Sequence, residues 1–315
     1  MKIKGFRGSI LLVMFGLTAM TAICGCQSAT TAGGTSLNQL VGKLKPSNDR
    51  QWLPEMATLP YVIASPGQPT MTIKNIRNSK YVNDDQYVVQ HYDRTISIGD
   101  IQSADYIVAP FNGAAALAHT MVSFGLIDGS FIVVSVEVRK EHDEEYSAVQ
   151  GLGRKFELMY VIGDEKDLIR VRTGHKDTAV YVYPTVATPA HAQALFVDIM
   201  TRVNKLAVEP EFYNTLTNNC TTNLKSHVNR IAGGRLKYDW RVLLPAHSAK
   251  YAYDLGLLDN SIPFADLQSL SIVNDLADRY YEAPDFSHKI RGRRQIIKRL
   301  AQRNGSSAQS ETLRR

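Results

Sequence analysis

The run from Ala114 to Arg139 restricts the fold more than any other part of this chain. Ala114 to Phe124 continues through Gly125-Leu126-Ile127-Asp128-Gly129 into Phe131 to Arg139, with Asp-Gly at the turn and β-branched residues on the return. That pattern specifies a β-hairpin. Side chains alternate across a strand, so Ile132, Val134, Val136 and Val138 are expected to face the core, with Ser135, Glu137 and Arg139 on the opposite face. On the outgoing strand His119, Met121 and Ser123 share one face. An odd-length loop centred on Asp128 pairs His119 with Glu137 and Met121 with Ser135. A two-residue Asp-Gly turn shifts the register by one and separates them. The pattern favours the first register, because it gathers His119, Ser123, Ser135 and Glu137.

Other elements follow on both sides. Met71 to Arg77 alternates, Asp84-Asp85 marks a turn, and Tyr87 to Tyr92 and Thr95 to Ile98 are short strand candidates. Ile101 to Phe111 reads as a mixed connection and Ser147 to Arg154 as a loop. Phe156 to Ile162 reads as a strand, Asp164 to Arg172 as a turn with more β-type sequence, and Val180 to Tyr183 as a short strand. Ala190 to Leu206 places Leu195, Ile199, Val203 and Leu206 on one helical stripe. Helices are also expected in Arg241 to Leu258 after Pro245, in Leu267 to Glu282, and in Ser287 to Arg303. A mixed sheet followed by helices predicts an α+β fold.

The N-terminus has a different composition. Lys2, Lys4 and Arg7 precede an apolar run from Ile10 to Ile23 that is too short to span a bilayer comfortably. Ile23-Cys24-Gly25-Cys26 resembles a bacterial lipobox, which implies cleavage before Cys26 and a diacylglyceryl thioether on it. Gln27 follows Cys26 where an Asp would resemble an inner-membrane retention signal, so the outer membrane is expected. The expected organisation is a lipoprotein signal peptide over 1–25 and a flexible tether over 26–50, rich in Ser, Thr, Gly and Asn. A domain over 51–285 follows, its Pro-rich lead-in running from Trp52 to Pro69, and then a basic tail over 286–315. From Lys289 to Arg315 there are nine Lys/Arg against one acid, Glu311, a balance of +8; the whole chain is +6, so the rest carries −2. The basic pI therefore belongs to the tail. An exported protein of this kind has no nucleic-acid partner, and the tail's Ile290, Ile296, Ile297 and Leu300 suit an anionic membrane surface.

Of the three cysteines, Cys24 and Cys26 lie in the export segment, leaving Cys220 as the body's one ordinary thiol. No internal disulfide can form, and a free Cys in an oxidising compartment needs a reason. Cys220 follows Asn218-Asn219 and opens a run whose Leu224, Val228 and Ile231 recur at helical spacing. A thiol at a helix N-terminus meets unpaired amides and the positive end of the dipole, and both favour thiolate. A histidine is needed as its base, and His119, with Glu137 beside it to stabilise the imidazolium, is the candidate. His227 competes, but it lies seven residues after Cys220, roughly 10 Å along the helix. No metal-ligand spacing and no nucleotide fingerprint is present, so neither metal nor cofactor is expected.

Four stretches carry a family resemblance: Ala118-His119-Thr120-Met121-Val122-Ser123-Phe124, Ser135 to Arg139, Phe156 to Asp167, and Pro210 to Thr222. They resemble the N-terminal periplasmic domain of the Lnb-type lipoprotein N-acyltransferases, and the similarity runs from about Ile73 to Asn229. The order, His before Cys, is similar to that of permuted papain-like (NlpC-like) folds such as the lecithin–retinol acyltransferase group, a mixed sheet with flanking helices. The resemblance implies Cys220 as acyl-accepting nucleophile and His119 as general base and acid, oriented by Glu137 or Ser123. It also implies an oxyanion site at the amides of Cys220 and Thr221, with Asn219 and Thr221 beside the substrate. Arg139 either pairs with Glu157 as scaffold or meets a lipid phosphate. The implied substrates are a phospholipid acyl donor and a lipoprotein acceptor, at a membrane reached through lipidated Cys26. Two other readings stay open: a cell-wall cysteine peptidase or amidase, and a non-catalytic envelope-binding lipoprotein.

Overall fold

The alternating stretches between residues 61 and 184 build one large sheet. The computed structural model describes residues 45–65, 67–81, 87–175, 178–237 and 239–312; the expected leader, Cys26, most of the tether and the Asp84-Asp85 turn lie outside them. The strands are β1 (Tyr61–Ala64), β2 (Thr70–Arg77), β3 (Lys80–Tyr81), β4 (Tyr87–Val88), β5 (His91–Ser97), β6 (Ile101–Phe111), β7 (Ala114–Leu126), β8 (Phe131–Arg139), β9 (Glu157–Asp164) and β10 (Tyr181–Pro184). Eight of them form a sheet in the order β1-β2-β9-β8-β7-β6-β10, with β5 also on β2, while β3 and β4 pair separately. The sheet is mixed: β2 runs parallel to β9, and the other pairs are antiparallel.

The helices are α1 (Pro54–Ala57), α2 (Glu165–Arg170), α3 (Pro189–Val208), α4 (Cys220–Ile231), α5 (Trp240–Leu243), α6 (Ser248–Asp254), α7 (Phe264–Ser271), α8 (Asn274–Arg279), α9 (Phe286–Lys289) and α10 (Arg294–Thr312). The protein is α+β. Helices cover both sheet faces. One core joins Phe124, Ile132, Val134 and Val136 to Phe196, Ile199, Met200 and Val203 of α3 and to Leu224 of α4. The other joins Met121, Val133 and Val161 to Leu168, Ala277, Phe286 and Ile290. That is why β8 carries Ile132, Val133 and Val134 in succession, all with no exposed surface: a strand covered on both faces needs no polar alternation. Phe196 packs edge-on against Phe124 at 5.0 Å, and burying one such ring stabilises the fold by about 1.5–3 kcal/mol. Thr188 caps α3 by accepting from the His191 amide, and Pro189 fills its first turn, where no N–H is needed.

The hairpin has the odd loop. Leu126 N–H donates to Ser130 O around Ile127-Asp128-Gly129, and Gly129 supplies the positive φ of +83°. Met121 therefore faces Ser135 and Gly125 faces Phe131.

Other expectations are corrected. Ile101 to Phe111 is the long strand β6, not a mixed connection. Its Asp105 hides a strand signal because it is buried, with its charge met by Arg291 and Arg294 from the far end of the chain. Asp164 to Arg172 is not β-type: Asp164 accepts from the Lys166 amide and caps α2, which runs on into a wide turn over Val171–His175. The lead-in from Trp52 holds α1 and β1. The expected tether meets the body before residue 50, where Asn48 donates to the carbonyls of Leu206 and Ala207 and Arg50 to Glu157. In the basic tail, Ile290 is buried in the second of the two cores, and Ile297 in a further cluster with Val108, Ala118 and Tyr183 against which Leu300 packs, so these three do not face a membrane; Ile296 remains exposed. Among the described residues no helix is long and apolar enough to cross a membrane.

Candidate active site

Cys220 is the first residue of α4, and a reciprocal cap fixes it there. Asn219 Oδ1 accepts from Thr222 N–H at 2.8 Å, while Thr222 Oγ1 accepts from Asn219 N–H at 2.9 Å. Such a box satisfies two amides that a helix start otherwise leaves open. Asn219 Nδ2 donates to Thr215 O at 2.6 Å. The Asn219 carboxamide is thus spent on the helix and its preceding loop, not on a substrate. That loop is held against the one before β9: Thr215 Oγ1 donates to Ala148 O, and its N–H to Gly151 O. A Cβ at Gly151 would stand 2.4 Å from Thr215 Oγ1, so the approach needs glycine.

The sheet opens where α4 begins. The β7–β8 ladder ends at Met121↔Ser135, although β7 stays paired with β6 out to the end of the hairpin arm and β8 with β9 to Arg139. At this fork the Cys220 sulfur lies 3.9 Å from Ala118 O and 3.8 Å from Thr221 Oγ1. The Cys220 thiol and the His119 imidazole are close enough to shift each other's titration. His119 Nε2 meets Ser135 Oγ at 2.6 Å and Glu137 Oε1 at 3.2 Å. Ser135 Oγ donates to Glu137 Oε1 at 2.6 Å, and Arg172 Nη2 donates to the same oxygen at 2.7 Å. A hydroxyl has one proton. With that proton on Glu137, Ser135 accepts from Nε2–H, and the neutral ring then has its acceptor at Nδ1.

The electrostatics agree with this direction. Burial pushes the Cys220 thiol up, but the His119 hydrogen bond and charge, with Thr120 adding side-chain and amide contacts, bring it down to about 7. Burial and the Arg172 charge push His119 down; Glu137 and the thiol outweigh them, and the imidazole is raised. Thiolate and imidazolium stabilise each other.

The remaining expected site residues separate into two groups. Thr221 stands beside the sulfur and bonds Thr120 Oγ1 at 3.2 Å. Ser123 does not reach His119: four residues along β7, roughly 13 Å at strand rise, it donates to Glu165 at 2.5 Å and accepts from Arg291 at 3.3 Å. Arg139 is fully buried scaffold. Its guanidinium donates to the carbonyls of Met56 and Ala57 and to Asn48 Oδ1, and lies 4.1 Å over Trp52, so it is packed inside the fold rather than presented to a lipid phosphate. Glu157, its strand neighbour, bonds Arg50 instead. Arg172 carried no sequence signal, because it reaches Glu137 from the turn after α2.

A thiol at a helix start, an imidazole from a facing strand and a carboxylate behind it define an α+β protein equipped for thiol chemistry. The family model of the Lnb N-terminal periplasmic domain matches residues 88–248, just over half of the 315-residue chain and the span that holds this site. The chain belongs to that family and is a periplasmic envelope protein. No curated protein and no solved structure matches it.

Proposed function

We propose that this protein is a cysteine-dependent acyltransferase of the bacterial envelope, moving a fatty acyl group from a glycerophospholipid to a lipoprotein N-terminus. The observation that carries this reading is the Cys220–His119–Glu137 arrangement, with the thiol brought to about 7, within the Lnb family match.

The Cys220 thiolate attacks the ester carbonyl, forming a C–S bond and placing negative charge on the oxygen. The first amides of a helix lack intrahelical partners, so those of Cys220 and Thr221 are suited to meet that charge. His119, as imidazolium, gives its proton to the leaving glyceryl oxygen, and a lysophospholipid departs. The α-amino group of a diacylglyceryl-cysteine lipoprotein then attacks the thioester. His119 takes the amine proton as the C–S bond breaks, and the thiol is restored. Glu137, held by Ser135 and Arg172, stabilises the imidazolium in both halves. A lipid on Cys26 would keep the enzyme at the outer membrane, where both substrates lie.

Mass spectrometry of lipoprotein N-termini from cells with the protein, without it, and with Cys220→Ser tests the reading. N-acylation is expected only in the first. Equal N-acylation in all three strains removes the acyltransferase.

A further inference from the structure

Cys220 is only 6% exposed, so a substrate must reach the sulfur through a neighbouring space. A half-open cavity of about 530 Å³ lies along α4. Thr221, Leu224, Val228 and Ile231 of α4 line one side, the stripe that helical spacing places together. Val122 and Tyr106 of the sheet and Leu195 of α3 form another. The lining is predominantly apolar. Among its hydroxyls, Tyr106 and Ser248 bond each other at 2.8 Å, and Thr221 bonds Thr120. Thr221 links the cavity to the sulfur, since its Oγ1 stands 3.8 Å from Sγ.

From this geometry we infer that the cavity is the acyl-chain site, with the thioester carbonyl at Thr221 and Tyr106 and the chain running along α4, so that its far wall sets chain length. The inference rests on the acyltransferase reading and extends it. A peptide would leave its amides unpaired against such a wall, at a cost of the order of 1–3 kcal/mol for each buried group. A hydrocarbon chain loses nothing there. The lining also includes Tyr251, Ala252, Leu257 and Leu258, which lie beyond the span that matches the family. The cavity therefore joins this chain's C-terminal residues to those of the matched span.

The test uses the full chain in detergent micelles with acetyl, octanoyl and palmitoyl p-nitrophenyl esters, following Cys220 acylation by intact mass. In Val228→Trp and Ala252→Phe, which fill the cavity, palmitoyl transfer is expected to fall at least about tenfold and acetyl transfer to stay near wild type. Melting temperatures check that both variants fold. A uniform change across all three esters, or no change with any, overturns the inference. Binding of a fluorescent fatty acid to Cys220→Ala supplies a readout free of chemistry. Saturable binding that Val228→Trp abolishes supports the cavity even if no ester ever acylates wild type, in which case the acyltransferase alone falls. Equal binding by both variants places the chain elsewhere.

Discussion

His119 and His227 are both buried, both bonded to a carboxylate, and both close to the helix that begins at Cys220. Their charges nevertheless move in opposite directions. Glu137 and the thiol both favour the His119 imidazolium, and together they outweigh burial and the Arg172 charge. His227 Nε2 bonds Tyr160 OH at 2.7 Å, and Asp198 Oδ2 accepts from Nδ1 at 2.5 Å. Burial, with the charges of Arg230 and Arg202, outweighs Asp198 and pushes it down. A carboxylate partner therefore does not make a histidine a base. What separates them is the rest of the surroundings: both rings have cations nearby, but only His119 has a titrating sulfur, where His227 has a phenol. His119 is arranged to exchange a proton, and His227 to tie α4 to α3 and β9.

Substitution gives the widest separation. His119→Ala is expected to slow Cys220 acylation by roughly 10²–10⁴-fold, the usual contribution of a general acid–base group, far beyond any effect of its lost buried contacts on folding. His227→Gln is expected to do the reverse, costing about 1–3 kcal/mol of stability as Tyr160 and Asp198 lose a buried partner, with acylation largely retained. Ester acylation kinetics and urea melts on the same two variants decide it. An acylation loss that follows His227 instead would assign the base to the wrong ring.

The pH dependence sharpens the contrast. Iodoacetamide should alkylate wild-type Cys220 with a midpoint at about 7, rising as the thiolate forms. Without His119 the midpoint should move up toward the ordinary thiol value of about 8.5. Glu137→Gln should move it the same way by a smaller amount, because an imidazolium without its anion is a weaker support for the thiolate. A midpoint that stays at about 7 in His119→Ala would remove the ion pair.

Stability should respond with opposite signs. The folded pKa of His227 is depressed, so its unfolded form binds the proton the folded one refuses. Its contribution is present above the unfolded value of about 6.5 and lost as pH falls below it. His119 is raised, so its contribution is full below about 6.5 and lost as pH rises through the folded value. Urea melts between about pH 5 and 8 should lose the acid-side slope in His227→Gln and the alkaline-side slope in His119→Ala. Parallel curves for the two variants would contradict the assignment.

How much of this was legible in the chain depended on sequence distance. The hairpin register and the start of α4 could be read directly, since Asp128-Gly129 sets one and the Asn219–Thr222 spacing sets the other. Both are local devices. What escaped were groups whose partners lie far away. Asp105 looks like a break in β6 until Arg291, 186 residues later, is set against it. Arg139 looks free for a ligand until α1, which precedes it by more than 80 residues, is folded beneath it. The basic tail reads as a membrane-binding helix because its isoleucines alternate with cations; Ile290 and Ile297 instead fill two separate buried clusters.

The smallest expected effect concerns two serines that share one sheet face with His119. Ser135 bridges the His119 ring and Glu137, but the ring and carboxylate are already 3.2 Å apart. Removing the hydroxyl therefore leaves a direct contact in place, and Ser135→Ala should slow acylation only about 2–10-fold, the worth of one hydrogen bond. Ser123 belongs instead to the Arg291–Glu165 cluster. Ser123→Ala should lower stability by about 1 kcal/mol and leave both the acylation rate and its pH midpoint at wild-type values. The pairing matters because alternation alone places both serines beside the histidine; only the four-residue step along the strand from His119 to Ser123 separates them. If Ser123→Ala shifts the pH midpoint as Ser135→Ala does, the two networks on that face are coupled, and the division between a catalytic and a structural end of β7 fails.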